Sequence, residues 1–168
     1  FEATTESEDG WPPFAGTLKE AFFGSVAEQC HVDSDLLLGA KSRAYRYCLA
    51  YNKVEITTED NASIGGLAEL GGDDMVLYLD SFDSAINRAA TFMHELGHNL
   101  GLRHGGGDDI NGKPNYPSIM NYTLADRMPW NEGFWKLDYS SEEHPVLDEA
   151  FLDEGFGVGA GSSGQYAD

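Results

Sequence analysis

The residues whose types and spacing best suit chemistry lie in HELGHNLGLRH, residues 94–104. His94 and His98 stand four apart, so on a helix both imidazoles leave one face and can hold a single ion. Glu95 follows the first of them and can reach a water on that ion without ligating it, which is where a general base stands. A third ligand, His104, can join only if the chain turns sharply after the helix. Gly101 permits the turn, because glycine enters the left-handed backbone region without steric penalty. Three neutral nitrogens with a fourth position left for water form the donor set of a catalytic zinc site, whereas structural zinc is usually closed by four protein ligands. His31 and His144 have no such spacing and read as ordinary core or surface histidines.

A helix must carry the first two ligands. From Ser84 to Leu100, apolar residues recur at Ile86, Ala90, Met93, Leu96 and Leu100. This spacing predicts an amphipathic helix with Asp83 or Ser84 as N-cap and with Leu96 and Leu100 on its buried face. Met75–Leu79 predicts a compact apolar strand, and Ser63–Leu70 an edge strand bulged at its glycine pair. Residues 43–56, rich in Tyr, Val and Ile, predict a further strand. Leu18, Phe22 and Val26 predict one helix capped by Thr17. Beyond Gly101 the chain is rich in Gly, Pro and Asn and reads as loop, with a short acidic helix within 146–154 and a low-complexity tail over 155–168.

The five defined positions His94, Glu95, His98, Gly101 and His104 match the extended zinc signature of the metzincin metallopeptidases, and the chain resembles that clan. The segment Ser118-Ile119-Met120-Asn121-Tyr122 is similar to the clan's methionine turn. The resemblance implies that Met120 forms an apolar floor beneath the histidines and that Tyr122 approaches the metal or stabilises the oxyanion. It also implies that the backbone of Gly66, Leu67, Ala68 and Glu69 pairs with an extended substrate. The implied fold is α+β: a mixed, twisted sheet and active-site helix in an upper part (1–101), an irregular lower part (102–168), and a cleft between them. Gly105 follows the third histidine where astacins have Glu, serralysins Pro, matrixins Ser and adamalysins Asp, so the subfamily is left unassigned. The implied activity is that of a secreted zinc endopeptidase. Two alternatives stand beside it: a non-catalytic binding module on a zinc scaffold, and a zinc hydrolase of non-peptide amides or esters.

Bulk composition fits this reading. The 168 residues suit a single catalytic domain, and a formal charge of −19 opposes nucleic acid and anionic membrane surfaces as partners. No apolar run is long enough to insert in a membrane. The expected partner is a protein or peptide substrate and the expected state a monomer. Residues 54–87 hold eight acids and no base, whereas 88–137 hold five of each; acids flanking the neutral stretch suggest a taste for Lys or Arg in the substrate. Residues 1–13 lack the basic start and apolar stretch of an export signal, so any signal or pro-segment is expected outside this sequence. Cys30 and Cys48 allow one intramolecular disulfide, which would suit export. Asp108, Asp109 and Asn111 make an oxygen-rich loop that is either a polar turn or a Ca2+ site, without the spacing of an EF-hand.

Overall fold

The computed structural model describes residues 13–52, 65–79, 84–122 and 137–140. The acidic helix expected within 146–154 and the tail 155–168 lie outside them. The chain groups into two compact units, Phe1–Leu100 and Gly101–Asp168.

The first unit is α+β. It runs α1 (Pro13–Phe22), α2 (Val26–Gln29), α3 (Ser34–Ala44), β1 (Tyr47–Tyr51), β2 (Gly66–Ala68), β3 (Asp74–Tyr78) and α4 (Ala85–Asn99). The strands form a mixed sheet in the order β1-β3-β2, with β1 parallel and β2 antiparallel to β3. The central strand has both edges paired, and Met75, Val76, Leu77 and Tyr78 are all buried. An uninterrupted apolar run suits a strand covered on both faces, where alternation would leave polar groups dry. Each such side chain contributes about 2 kcal/mol of burial.

α4 starts at the expected cap: the Ser84 hydroxyl accepts from the Asn87 amide. Its buried face matches expectation in part: Ala90 is buried and Met93 and Leu96 are half-buried, but Ile86 and Leu100 are exposed. His94, Glu95, Gly97 and Asn99 are buried as well, so the helix turns polar, functional side chains inward beside its apolar ones.

The N-terminal helices also depart from the sequence pattern. The helix expected through Val26 stops at Phe22, because Gly24 takes φ +92°. A Cβ there would also stand 2.5 Å from Leu38 Cδ2. The chain restarts as α2 with a reciprocal cap: Ser25 Oγ accepts from the Glu28 amide, and the Glu28 carboxylate accepts from the Ser25 amide. Thr17 is thus inside α1 rather than its cap. Arg43 and Ala44 end α3, so the strand expected over 43–56 begins only at Tyr47.

α1 is fastened to the start of β3 by Lys19, which pairs with Asp73 at 2.8 Å and with Asp74. Glu69, Asp73 and Asp74 bring carboxylate oxygens within 4.8 Å of one another, and Lys19 offsets their mutual repulsion. Phe23 meets Tyr47 edge-to-face at 6.1 Å.

The disulfide is absent. Cys30 is exposed, Cys48 half-buried, and both are free thiols. Burial pushes the Cys48 thiol up from its ordinary value, and the nearby Glu95 charge adds to that. Alkylation of native, unreduced protein should therefore label Cys30 quickly and Cys48 slowly, with both modified after unfolding. A mass spectrum showing neither thiol labelled after unfolding without reductant would restore the disulfide.

Candidate metal centre

The ligand geometry grows from the end of α4. His94 and His98 are one turn apart, with ring centroids 4.8 Å apart and planes at 85°. α4 ends at Asn99; the amide of Leu100, its C-cap, turns back onto the Leu96 and Gly97 carbonyls, and Gly101 then takes φ +91°. An L-residue with a side chain rarely adopts that conformation, so the glycine is needed for the turn. Two residues later Arg103 and Gly106 exchange backbone hydrogen bonds, each 2.9 Å, and His104 sits in the loop they close.

His94, His98 and His104 each offer a ring nitrogen, and the three lie within 4.8 Å of one another. A tetrahedral zinc with bonds of about 2.0–2.1 Å spaces its ligand nitrogens about 3.4 Å apart, so three imidazoles gathered this closely fit the ion. The donor set, nitrogen without thiolate, leaves a fourth position outside the histidines.

Glu95 is buried, with 5% of its surface exposed. Removal from water pushes its carboxyl up to about 8. A neighbouring cation acts the other way and favours the carboxylate. The side chain lies against β2: a Cβ built on Gly66 would fall 2.7 Å from both Glu95 Cγ and Oε1, and 2.8 Å from the Val76 carbonyl oxygen. Gly66 is thus bare because the carboxylate and the central strand occupy the space. Sequence reasoning selected Gly66 for its backbone and missed this packing.

The remaining expected residues occupy definite places. Leu67 and Ala68 are in β2, opposite Val76 and Met75, and Glu69 follows at the turn. β2 is an edge strand, as expected; among the described residues it pairs only with β3, and its three residues run in continuous register rather than through a bulge. In the second unit, Ser118, Ile119, Met120 and Asn121 are all buried. Asn121 organises the preceding loop: its amide donates to the Lys113 and Tyr116 carbonyls at 2.8 and 3.1 Å, and its oxygen accepts from the Gly112 amide. Tyr122 is 43% exposed, and its ring lies 4.3 Å from that of His104 at 40°.

The oxygen-rich loop is a turn, and its oxygens are committed to protein groups. Asp108 accepts from Lys113 Nζ at 2.7 Å and from the Ile110 amide at 3.0 Å. These contacts, that from Lys113 first, hold its carboxyl below the usual range. Asp109 pairs with Arg103, and Asn111 Oδ1 accepts from the Tyr122 amide at 2.9 Å. The three side chains serve different partners instead of converging, so a calcium site has no support here. The same turn accounts for Gly105. A Cβ at that position would stand 2.2 Å from Asp108 Oδ1 and 2.5 Å from the Ile110 carbonyl oxygen.

Asn99 escaped the sequence reading. It is 2% exposed and donates through Nδ2 to the carbonyls of Glu69 and Asp74, at 2.9 and 2.8 Å. Its position next to a ligand was the available signal, but Asn at a helix end more often reads as a cap.

Residues 23–105 match the reprolysin-like metallopeptidase family M12B. No curated protein and no solved structure matches the chain. The match takes in the strands and the ligand helix and ends just after His104.

Gly66→Ala should lower stability by about 1–3 kcal/mol, the usual cost of forcing atoms into a filled interior. Urea unfolding measures it. An unchanged midpoint would mean that β2 and Glu95 can part freely, contrary to the packing described.

Proposed function

We propose that this chain, a member of the metzincin zinc metallopeptidases, is an endopeptidase with Glu95 as its general base. The observation that carries the reading is a buried carboxylate next to His94, pressed against an edge strand, on the helix that supplies two of three clustered imidazoles. His94, His98 and His104 hold the metal. When bound, zinc supplies Lewis acidity for the scissile carbonyl and for the attacking water.

The residues of the chain do the rest. An extended peptide adds to the outer edge of β2 along Gly66, Leu67 and Ala68, while the backbone amide and carbonyl of Glu69 are taken by Asp74 and Asn99 and close the end of that edge. Glu95 accepts the water's proton on its carboxylate and returns it to the leaving amine nitrogen. Tyr122, its ring beside that of His104, donates through its hydroxyl to the oxyanion of the tetrahedral intermediate. Met120 is the methionine of the turn, a soft apolar residue within the second unit's core. The protein acts outside the cell, as a monomer, on protein or peptide substrates.

Casein cleavage, with zinc content measured on the same samples, tests the proposal. The wild type should bind about one zinc per chain and lose activity to a chelator. Glu95→Ala should keep the zinc while kcat falls by about 10^2- to 10^4-fold. Near-wild-type turnover in that variant would dismiss Glu95 as the base. Tyr122→Phe should lower kcat by about 100-fold with little change in KM. One zinc without cleavage of any protein would favour the binding module, and cleavage of esters alone the non-peptide hydrolase.

A further inference from the structure

The hairpin formed by β2 and β3 is bound to the end of α4 by contacts that the peptidase reading does not use. The Asn99 amide spans both strands, donating to Glu69 O at 2.9 Å and Asp74 O at 2.8 Å. The Gly71 amide, in the turn between the strands, donates to the His98 carbonyl at 2.8 Å. Within the hairpin the Glu69 amide donates to Asp74 O at 3.1 Å, so one carbonyl receives both the strand partner and the Asn99 amide. At the other end of β2, Gly66 lies against Glu95.

Only a neutral amide suits this place. Both partners are carbonyl oxygens, so two N–H donors on one nitrogen are required; a carboxylate would be repelled and a hydroxyl could satisfy only one. Without the side chain, Asp74 O keeps the Glu69 amide and Glu69 O keeps the Gly72 amide at 3.4 Å, so what Asn99 adds is the tie between the hairpin and the helix. The helix that carries the metal ligands and the strand proposed to receive substrate are thereby joined at two points, one sterically and one by hydrogen bonds. The distance along β2 between them is three residues, Gly66 to Glu69.

We infer that Asn99 is a positioning residue that sets the register of the substrate-pairing strand against the Glu95 carboxylate by clamping the β2–β3 hairpin to the end of the ligand helix. The inference rests on the peptidase reading. Asn99 touches neither substrate nor metal; it acts through β2. Its loss should therefore loosen substrate alignment while leaving the ligands and the base in place.

The test compares wild type with Asn99→Ala, using zinc-loaded protein, an extended casein-derived peptide and amide hydrogen exchange. The variant should retain about one zinc per chain, and KM should rise about tenfold with kcat within about threefold of wild type, as expected when binding rather than chemistry is weakened. Exchange of the Glu69 amide should quicken about tenfold, while amides pairing β1 with β3 keep their protection. A lower melting temperature with unchanged KM and unchanged exchange at Glu69 would overturn the inference, since Asn99 would then be merely structural. Loss of zinc, or a fall in kcat at constant KM, would overturn it too, because the residue would then act on the metal helix. Should Asn99→Ala fail to fold, Asn99→Ser, which keeps a single short donor, gives the same comparison in milder form. If the wild type cleaves no peptide, the peptidase reading falls by itself, and the exchange of Glu69 still decides whether Asn99 holds the strand.

Discussion

Burying a carboxylate is among the more costly things a small domain can do, and the rest of this architecture is arranged around one. Glu95 lies on the inward face of α4, withdrawn from water, with burial opposing its ionisation. A helix anchored by its leucines could rotate slightly without consequence. α4 instead buries a histidine, a glutamate and an asparagine, so its rotation about its own axis is fixed by polar partners as much as by packing. Each polar group must meet its partner at a set distance, and that demand is directional where apolar contact is not.

The sheet is shaped to the same demand. β3, buried from Met75 to Tyr78, is the rigid wall, and the three residues of β2 lie between it and solvent with Gly66 alongside the carboxylate. The glycine at the start of β2 is a gap cut for Glu95. The asparagine at the end of α4 ties down the other end of that strand. Beyond Leu100 the backbone changes direction at Gly101, and the loop that follows is ordered by short-range ion pairs and by the buried amide of Asn121.

Much of this was legible from residue order. The ligand helix, its Ser84 cap, the Gly101 turn and the central strand all follow from periodicity and from backbone preferences that act locally. α3 was not foreseen, and the reason is physical: Leu36, Leu37 and Leu38 are consecutive rather than spaced at a helical period, and the helix has no buried residue to impose one. The break at Gly24 was hidden because Leu18, Phe22 and Val26 keep helical spacing across it, while Phe22 and Val26 are in fact exposed. The burial of Asn99 could not be read because its partners, Glu69 and Asp74, lie 30 and 25 residues away. The free cysteines carry the same lesson: two thiols permit a bridge, but only the fold decides whether they meet.

All three imidazoles belong to eleven consecutive residues, joined by one helix turn and one glycine bend. Closing so short a segment costs little entropy, since that cost grows with the logarithm of the chain enclosed. An unfolded chain therefore keeps part of the affinity that the finished site has for an ion. A ligand stabilises a fold only by the difference between its binding to the folded and unfolded forms. An ion held by these three histidines would therefore add less to the stability of the folded form than its full affinity for the finished site.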